Sequence, residues 1–214
     1  MRLTLRTFMD FARFLSTLRS HTQLTEQEEL KLCSLLSIKK LKRKEFLVRA
    51  GEDARHEYFV NRGCLRTYYL DKKGAEHNTY FAMEGYWVSD IYSRTFNTPT
   101  LCNIIALEDC ELVHISNTSL ESFLKEVPAL ERFFRISYQN ALATIHLKQI
   151  QLLSLNGCER YNYFRQKYPE MDRRIPQKHI ASYLGFTPEF FNTIRAKAIR
   201  SKTGAVVSGV FEMT

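Results

Sequence analysis

Residues 175–200 read IPQKHIASYLGFTPEFFNTIRAKAIR, and their pattern decides how the rest of the chain is read. Ile180, Ala181 and Leu184 fall on one face of a short helix that Gly185 ends, because glycine enters the left-handed region without steric cost. Thr187-Pro188-Glu189 then supplies a cap, a proline at the first helical position and an acid at the positive end of the dipole. On the 3.6-residue wheel of this second helix Phe191, Ile194 and Ala198 share the inner face. Glu189, Asn192, Thr193, Ala196, Lys197 and Arg200 occupy the outer one.

The outer face is polar and basic and has no apolar stripe for a second protein layer. That separates a helix-turn-helix presenting its second helix outward from an ordinary αα-hairpin in a core, which the glycine turn alone would also allow. The segment IASYLGFTPEFFNTIR resembles the C-terminal helix-turn-helix of the Crp-Fnr superfamily of bacterial transcription regulators.

Outer-face chemistry nominates Glu189, Asn192, Thr193 and Lys197 for base edges in the major groove: Glu189 accepts from cytosine, Asn192 pairs with adenine, and the Thr193 methyl meets thymine. Arg195, Arg200 and Lys178 are expected at phosphates, and the capping Thr187 joins the expected DNA-binding set. Phe190 lies on the flank, either as a core aromatic, which is expected, or as an apolar contact at the groove edge. Glu189 matches the base-reading glutamate of the resembled family. Thr193 and Pro188 stand where many members carry arginine, which implies a different target sequence.

The chain has 214 residues, a formal net charge of +8 and a pI near 9.3, a balance that favours a polyanionic partner. Lys and Arg outnumber Asp and Glu by 11 to 5 over residues 1–50 and by 10 to 5 over residues 157–214, with 10 against 13 between them. Cys33, Cys64, Cys102, Cys110 and Cys158 are odd in number and widely spaced, so they are expected to be reduced and mostly buried rather than paired or holding an iron-sulfur cluster. Arg6, Asp10, Arg13 and Arg19 interrupt the first twenty residues, so neither a signal peptide nor a membrane span is expected and a cytoplasmic location is.

From Phe46 to Ile115 the chain reads as short strands rich in Tyr, Phe, Val and Ile: EFLVR, HEYFVN, CLRTYYL, HNTYFAM, YWVSDIY, LCNIIAL and CELVHIS. Gly51, Gly63, Gly74 and Gly85 punctuate the run evenly, which indicates an antiparallel jelly roll, small barrel or cupin. AGEDARHEYFVNRGCLRTYYL, residues 50–70, resembles the opening of the superfamily's cyclic-nucleotide-binding β-roll, and the resemblance selects the jelly roll (double-stranded β-helix). Cyclic-nucleotide binders of that family use a Gly-Glu pair followed ten residues on by arginine; here Ser89-Asp90 and Thr100 stand there. Asp90 can bond a hydroxyl, but Thr100 cannot neutralise a phosphate. Cyclic AMP is therefore not the expected effector, and Arg94, though nearby, is not expected to replace the missing cation; Tyr86, Trp87, Ser89, Asp90, Arg94 and Thr100 are the candidate positions for an effector whose identity the sequence leaves open. His56, His77 and His114 raise a cupin-like metalloenzyme as a rival, but no His-X-His pair occurs, so no metal is expected.

Helices flank the strands. Residues 7–19 place Phe8, Phe11, Ala12 and Leu15 at helical spacing, and Thr25 with Glu28 forms a capping box before Leu30, Leu32, Leu35 and Leu36. The KKLKRKEFLVR run is expected to be a solvated edge strand. After a helix capped at Asn117 or Thr118, Pro128 opens a long one ending at Asn156-Gly157, with Phe134, Tyr138, Ala141, Ile145 and Leu152 as a seam. Such a seam suits either pairing with a second copy or packing on the β domain. Residues 157–170, GCERYNYFRQKYPE, are expected to carry a further helix, with Tyr161, Phe164 and Tyr168 inward, that Pro169 ends. A small hairpin about Ser208-Gly209 leaves room for at most a reduced wing.

The expected fold class is α+β: a helical lead-in and β-roll over 1–127, a dimerisation helix over 128–156, and a winged-type helix-turn-helix with a reduced wing over 157–214. The resemblance implies a homodimer on double-stranded DNA, acting with RNA polymerase and not as an enzyme. An effector-independent DNA-binding protein with a scaffold β domain is the alternative.

Overall fold

Strands β1 (Ser37–Leu41), β2 (Phe46–Val48), β3 (His56–Arg62), β4 (Leu65–Leu70), β5 (Glu76–Ala82), β6 (Trp87–Val88), β7 (Cys102–Ala106) and β8 (Cys110–Ser116) pair into two antiparallel sheets, ordered β1-β8-β3-β6 and β2-β7-β4-β5. The computed structural model describes residues 10–200, with side-chain surroundings as far as Ala198. The hairpin expected at Ser208-Gly209, Phe8 and the Arg200 side chain lie outside what is described. Two compact units emerge, one of residues up to 75 with 79–140, the other of residues 76–78 with 141 onward.

Strand alternation builds two cores in the first unit, because neighbouring residues on a strand point to opposite faces. Tyr58 and Val60 of β3 and Leu112 of β8 face inward between the sheets with Leu65, Ile104 and Ala106. Phe59 and Val113, partners across β3 and β8, face outward onto helices. Those helices are α1 (Ala12–Arg19), α2 (Glu26–Leu35), α4 (Asn117–Glu126) and the start of α5 (Pro128–Ser154). Phe14, Phe59, Trp87, Phe133 and Phe134 meet edge to face at 4.9–5.7 Å in this outer core. In α1 the buried face is Phe14, Leu15 and Leu18, with Phe11 buried just before it; Ala12, expected inside, is exposed, as is Leu30 of α2.

The capping box of α2 forms as read: Glu28 N donates to Thr25 Oγ1 at 3.3 Å and Thr25 N to Glu28 Oε2 at 2.7 Å. The cap of α4 shifts by one residue to Ser116, whose hydroxyl accepts from Ser119 N at 3.1 Å. β1 is an edge strand, as the lysine run suggested.

One expected strand fails. YWVSDIY is strand only at Trp87–Val88, after which Ile91–Phe96 form helix α3. Asp90 caps it, accepting from Ser93 N at 3.0 Å, and Asn97 stops it in the left-handed region at φ 52°. A start and a stop signal outweigh the β preference of Ile91, Tyr92 and Phe96, whose side chains stay largely exposed.

In the second unit α6 (Gly157–Lys167), α7 (Pro169–Arg174), α8 (Gln177–Tyr183) and α9 (Pro188–Arg200) close around Tyr161, Phe164, Ile180, Ala181, Phe191 and Ile194. Pro169 ends α6 as expected, but it also opens α7, which the sequence reading did not anticipate. Its N1 proline, followed by Glu170 and closed by Arg173 and Arg174, suits both ends of that short helix. Among the described residues no helix is long and apolar enough to cross a membrane. None of the five cysteines is in a disulfide, and Cys33, Cys64 and Cys110 are buried.

Candidate nucleic-acid interface and ligand site

The turn between α8 and α9 is a Schellman motif. Phe186 N donates to Ala181 O at 2.9 Å, Gly185 N donates to Ser182 O at 3.1 Å, and Gly185 takes φ 78°. The next helix starts where Thr187 Oγ1 accepts from Phe190 N at 3.3 Å. Ala181 has no exposed surface, which is why a small residue is needed there. Phe191 and Ile194 are 0 % and 3 % exposed, with Phe191 edge-on to Tyr161 at 5.0 Å.

This fixes which side of α9 faces outward. Glu189, Asn192, Thr193, Ala196 and Lys197 are all exposed, and so are Lys178 and Thr187. The exposed set combines a carboxylate, an amide, a hydroxyl with its methyl and an ammonium group, the groups that read base edges. Two residues differ from expectation. Phe190, expected in the core, is 54 % exposed and packs edge-on to Phe186 at 5.6 Å, because its step round the helix from Phe191 carries it off the inner face. Arg195 is half-buried and donates to the Tyr161 hydroxyl, which itself donates to Asp172 at 3.1 Å. Its guanidinium is therefore held partly by the core of the unit.

On α5 the expected seam divides. Phe134 is 5 % exposed among the aromatics of the outer core, and Tyr138 is tied to Arg94. Beyond them Leu142, Ile145, Ile150, Leu152 and Leu153 are 43–84 % exposed. The first part of α5 thus packs on the β domain, and the rest presents an apolar face that the described residues leave uncovered.

The six residues nominated for a small molecule do not all face the same way. Tyr86 packs on the core between the sheets while Trp87 packs outside it, as strand alternation requires. Asp90 and Thr100 do come together: the Thr100 hydroxyl donates to the Asp90 carboxylate, and Thr100 Oγ1 accepts from Cys102 N at 3.1 Å. Thr100 is buried, so these groups satisfy one another. Arg94 turns elsewhere. It forms an ion pair with Glu57 and donates to the Tyr138 hydroxyl at 3.0 Å, while Ser89 also bonds Glu57.

Glu57, 2 % exposed, was missed in the sequence. Its signal is positional: it sits two residues before the buried Phe59 on the same strand face, where an acid requires a partner. Burial pushes its carboxyl above the usual range, and Arg94, Ser89 and Tyr138 oppose that shift. Burial foremost, with Glu57 beside it, pushes the Tyr138 phenol up to about 12.

Next to Arg94 lies a cleft of about 870 Å³ lined by Asp53, Arg55, Asn97, Asn117, Glu121 and Lys125 among others. Its charges are mixed and its walls rich in amides and hydroxyls. His56 and His114 meet edge to face at 5.1 Å, and His77 is exposed. Among the described residues no group of three or more His, Cys, Asp or Glu is placed to hold a metal.

Residues 38–127 match the family model of the cyclic nucleotide-binding domain. No curated protein sequence matches the chain. Among solved structures it is similar to FixK2 from Bradyrhizobium japonicum, at 18 % identity and TM-score 0.65, over 78 % of this chain and 85 % of that one. It is also similar to the c-di-GMP responsive global regulator CLP of Xanthomonas campestris, at 17 % identity and TM-score 0.62, over 83 % and 93 % of the two chains. The catabolite activator protein of Thermus thermophilus aligns at 17 % identity and TM-score 0.54, over 86 % and 87 %. Residues 38–127 are thus similar to the cyclic nucleotide-binding domain family, and the chain shares its fold with these solved structures.

Proposed function

We propose that the chain is a homodimeric, sequence-specific DNA-binding regulator of the Crp-Fnr type, working in the cytoplasm without enzymatic activity of its own. The observation that carries this reading is the division of α9 into a buried side of Phe191, Ile194 and Ala198 and an exposed side of Glu189, Asn192, Thr193 and Lys197. In this reading α8 and α9 are the helix-turn-helix, with α9 in the major groove and Lys178 at a phosphate. Arg195 supports the recognition helix from within and reaches phosphate at most in part.

The uncovered apolar run on α5 is the dimer seam, formed by Leu142, Ile145, Leu152 and their neighbours and not by Phe134 and Tyr138. Two-fold pairing then sets two recognition helices one DNA turn apart, and RNA polymerase is the onward partner. Binding sites selected from random duplex DNA test the reading: an enriched two-fold symmetric sequence is expected, and no enrichment over the starting pool would overturn it.

The effector is not cyclic AMP. The Asp90 carboxylate is already engaged by Thr100 and by the start of α3, and Arg94 is neutralised by Glu57. The same internal pairing favours a second reading, in which the β domain is a scaffold and DNA binding needs no effector. Titration calorimetry with cyclic AMP and other nucleotides separates the two from a cyclic-nucleotide sensor.

A further inference from the structure

We propose that the cleft between α3, α4 and the loop before β3 is a binding site for a neutral polyhydroxylated molecule, a mono- or disaccharide. Its volume of about 870 Å³ falls inside the roughly 300–1,000 Å³ of small-molecule sites. The inference goes beyond the DNA-binding reading and does not depend on it.

What lines the cleft selects the ligand. Most small-molecule pockets are largely apolar, whereas here Ala54 alone of the described wall residues has no hydrogen-bonding side chain. A nucleotide base or a fatty chain would find no aromatic or long aliphatic surface in that wall. Thr95, Asn97 and Thr98 stand on the α3 side, with Thr118 and Ser122 on α4 opposite. None of these five side chains makes a hydrogen bond among the described residues. Asn117 Oδ1 is buried and likewise has no partner among the described residues, so it calls for a donor. A sugar hydroxyl donates and accepts at once and suits such a mixture.

Charge argues against an anion. Arg55 pairs with Asp53 and Arg94 with Glu57, and the remaining wall charges are those of Lys125 and Glu121. Cations and carboxylates therefore balance, and no net positive charge is left to hold a phosphate.

The walls are fixed in advance. Asn117 N donates to Arg55 O and Asn117 Nδ2 to Ala54 O, both at 2.9 Å, which ties α4 to the loop. On α3 the Ser93 hydroxyl donates to Thr98 O, and Arg94 is anchored on Glu57 and Tyr138. A site ordered before binding loses less entropy when it is filled.

Titration calorimetry of the full chain with glucose, galactose, mannose, maltose and sucrose tests the site. Saturable heat separates binding from the general stabilisation that sugars give by exclusion from the surface. The double variant Asn97→Gly/Ser122→Ala removes an amide and a hydroxyl, and glycine keeps the left-handed backbone at φ 52°. At least one sugar is expected to bind once per chain, and the double variant to bind it about tenfold more weakly. Thr118→Val, on the opposite wall, is expected to weaken the same sugar about threefold, and it decides the matter if the double variant does not fold. No saturable heat from any of the five sugars, or affinity unchanged in the variants that fold, would overturn the proposal. So would tighter binding of the phosphorylated form of a sugar than of its neutral parent.

Discussion

Arg94 Nη2 donates to the Tyr138 hydroxyl at 3.0 Å, and both side chains converge on the buried carboxylate of Glu57. Three elements, α3, α5 and β3, are thereby joined at one charge. Removing the cation strands that charge, so Arg94→Ala is expected to cost about 3–5 kcal/mol in denaturant unfolding at neutral pH. The direction of the pH dependence follows from the carboxyl: its folded pKa is already raised and rises further without Arg94. A raised acid favours folding when protonated, so the deficit of Arg94→Ala should shrink between pH 7 and pH 5. A deficit that stays constant or grows over that range would contradict this role for Glu57.

Gly63 is held at φ 104°, and a Cβ there would lie 2.6 Å from Cys110 Sγ and 2.8 Å from the Asp109 carbonyl oxygen. Gly74 also has positive φ but open space around it. Gly74→Ala should therefore cost about 1 kcal/mol for the backbone alone. Gly63→Ala should cost at least about 2 kcal/mol more, because part of what it meets is backbone. Equal unfolding midpoints for the two variants would show that the Gly63 turn is not closely packed.

Much of this architecture is legible in the chain. Thr25 and Glu28, the Thr187-Pro188-Glu189 start and the Gly185 stop are local signals, and each forms as its chemistry dictates. The helix at Ile91–Phe96 was hidden because aromatic and β-branched residues carry no helical stripe when they remain exposed; only Asp90 and Asn97 marked its ends. Glu57 and Arg94 are 37 positions apart in sequence. Nothing local announces such a pair, and the sequence reading, which kept Arg94 only among candidate ligand positions, missed the acid that the fold brings to it.

Lys148 gives a pH signature of its own. Its folded pKa is depressed to about 8 from 10.5, so folding favours the neutral amine. The unfolded chain holds more protons between these values, and stability rises with pH across that window. The wild type should gain about 1–2 kcal/mol on Lys148→Met between pH 7.5 and pH 9.5. Parallel stability curves would show that the amine is well solvated.

Ile145 is 62 % exposed on α5, and Leu142 is 53 % exposed. If this face pairs two copies, sedimentation equilibrium should give twice the 25.2 kDa chain mass for the wild type. Ile145→Glu places a charge in the seam and should weaken association at least tenfold while leaving the thermal midpoint of the monomer within a few degrees. A wild type that remains monomeric at high concentration would remove the dimer from the account.

The central claim is that the exposed side of α9 reads bases. Fluorescence anisotropy on a selected duplex and on a scrambled one, with the wild type and a Glu189→Ala/Asn192→Ala double variant, tests it most directly. The account predicts a loss of roughly 10–100-fold on the selected duplex and little change on the scrambled one. Equal losses on both, or none on either, would contradict it.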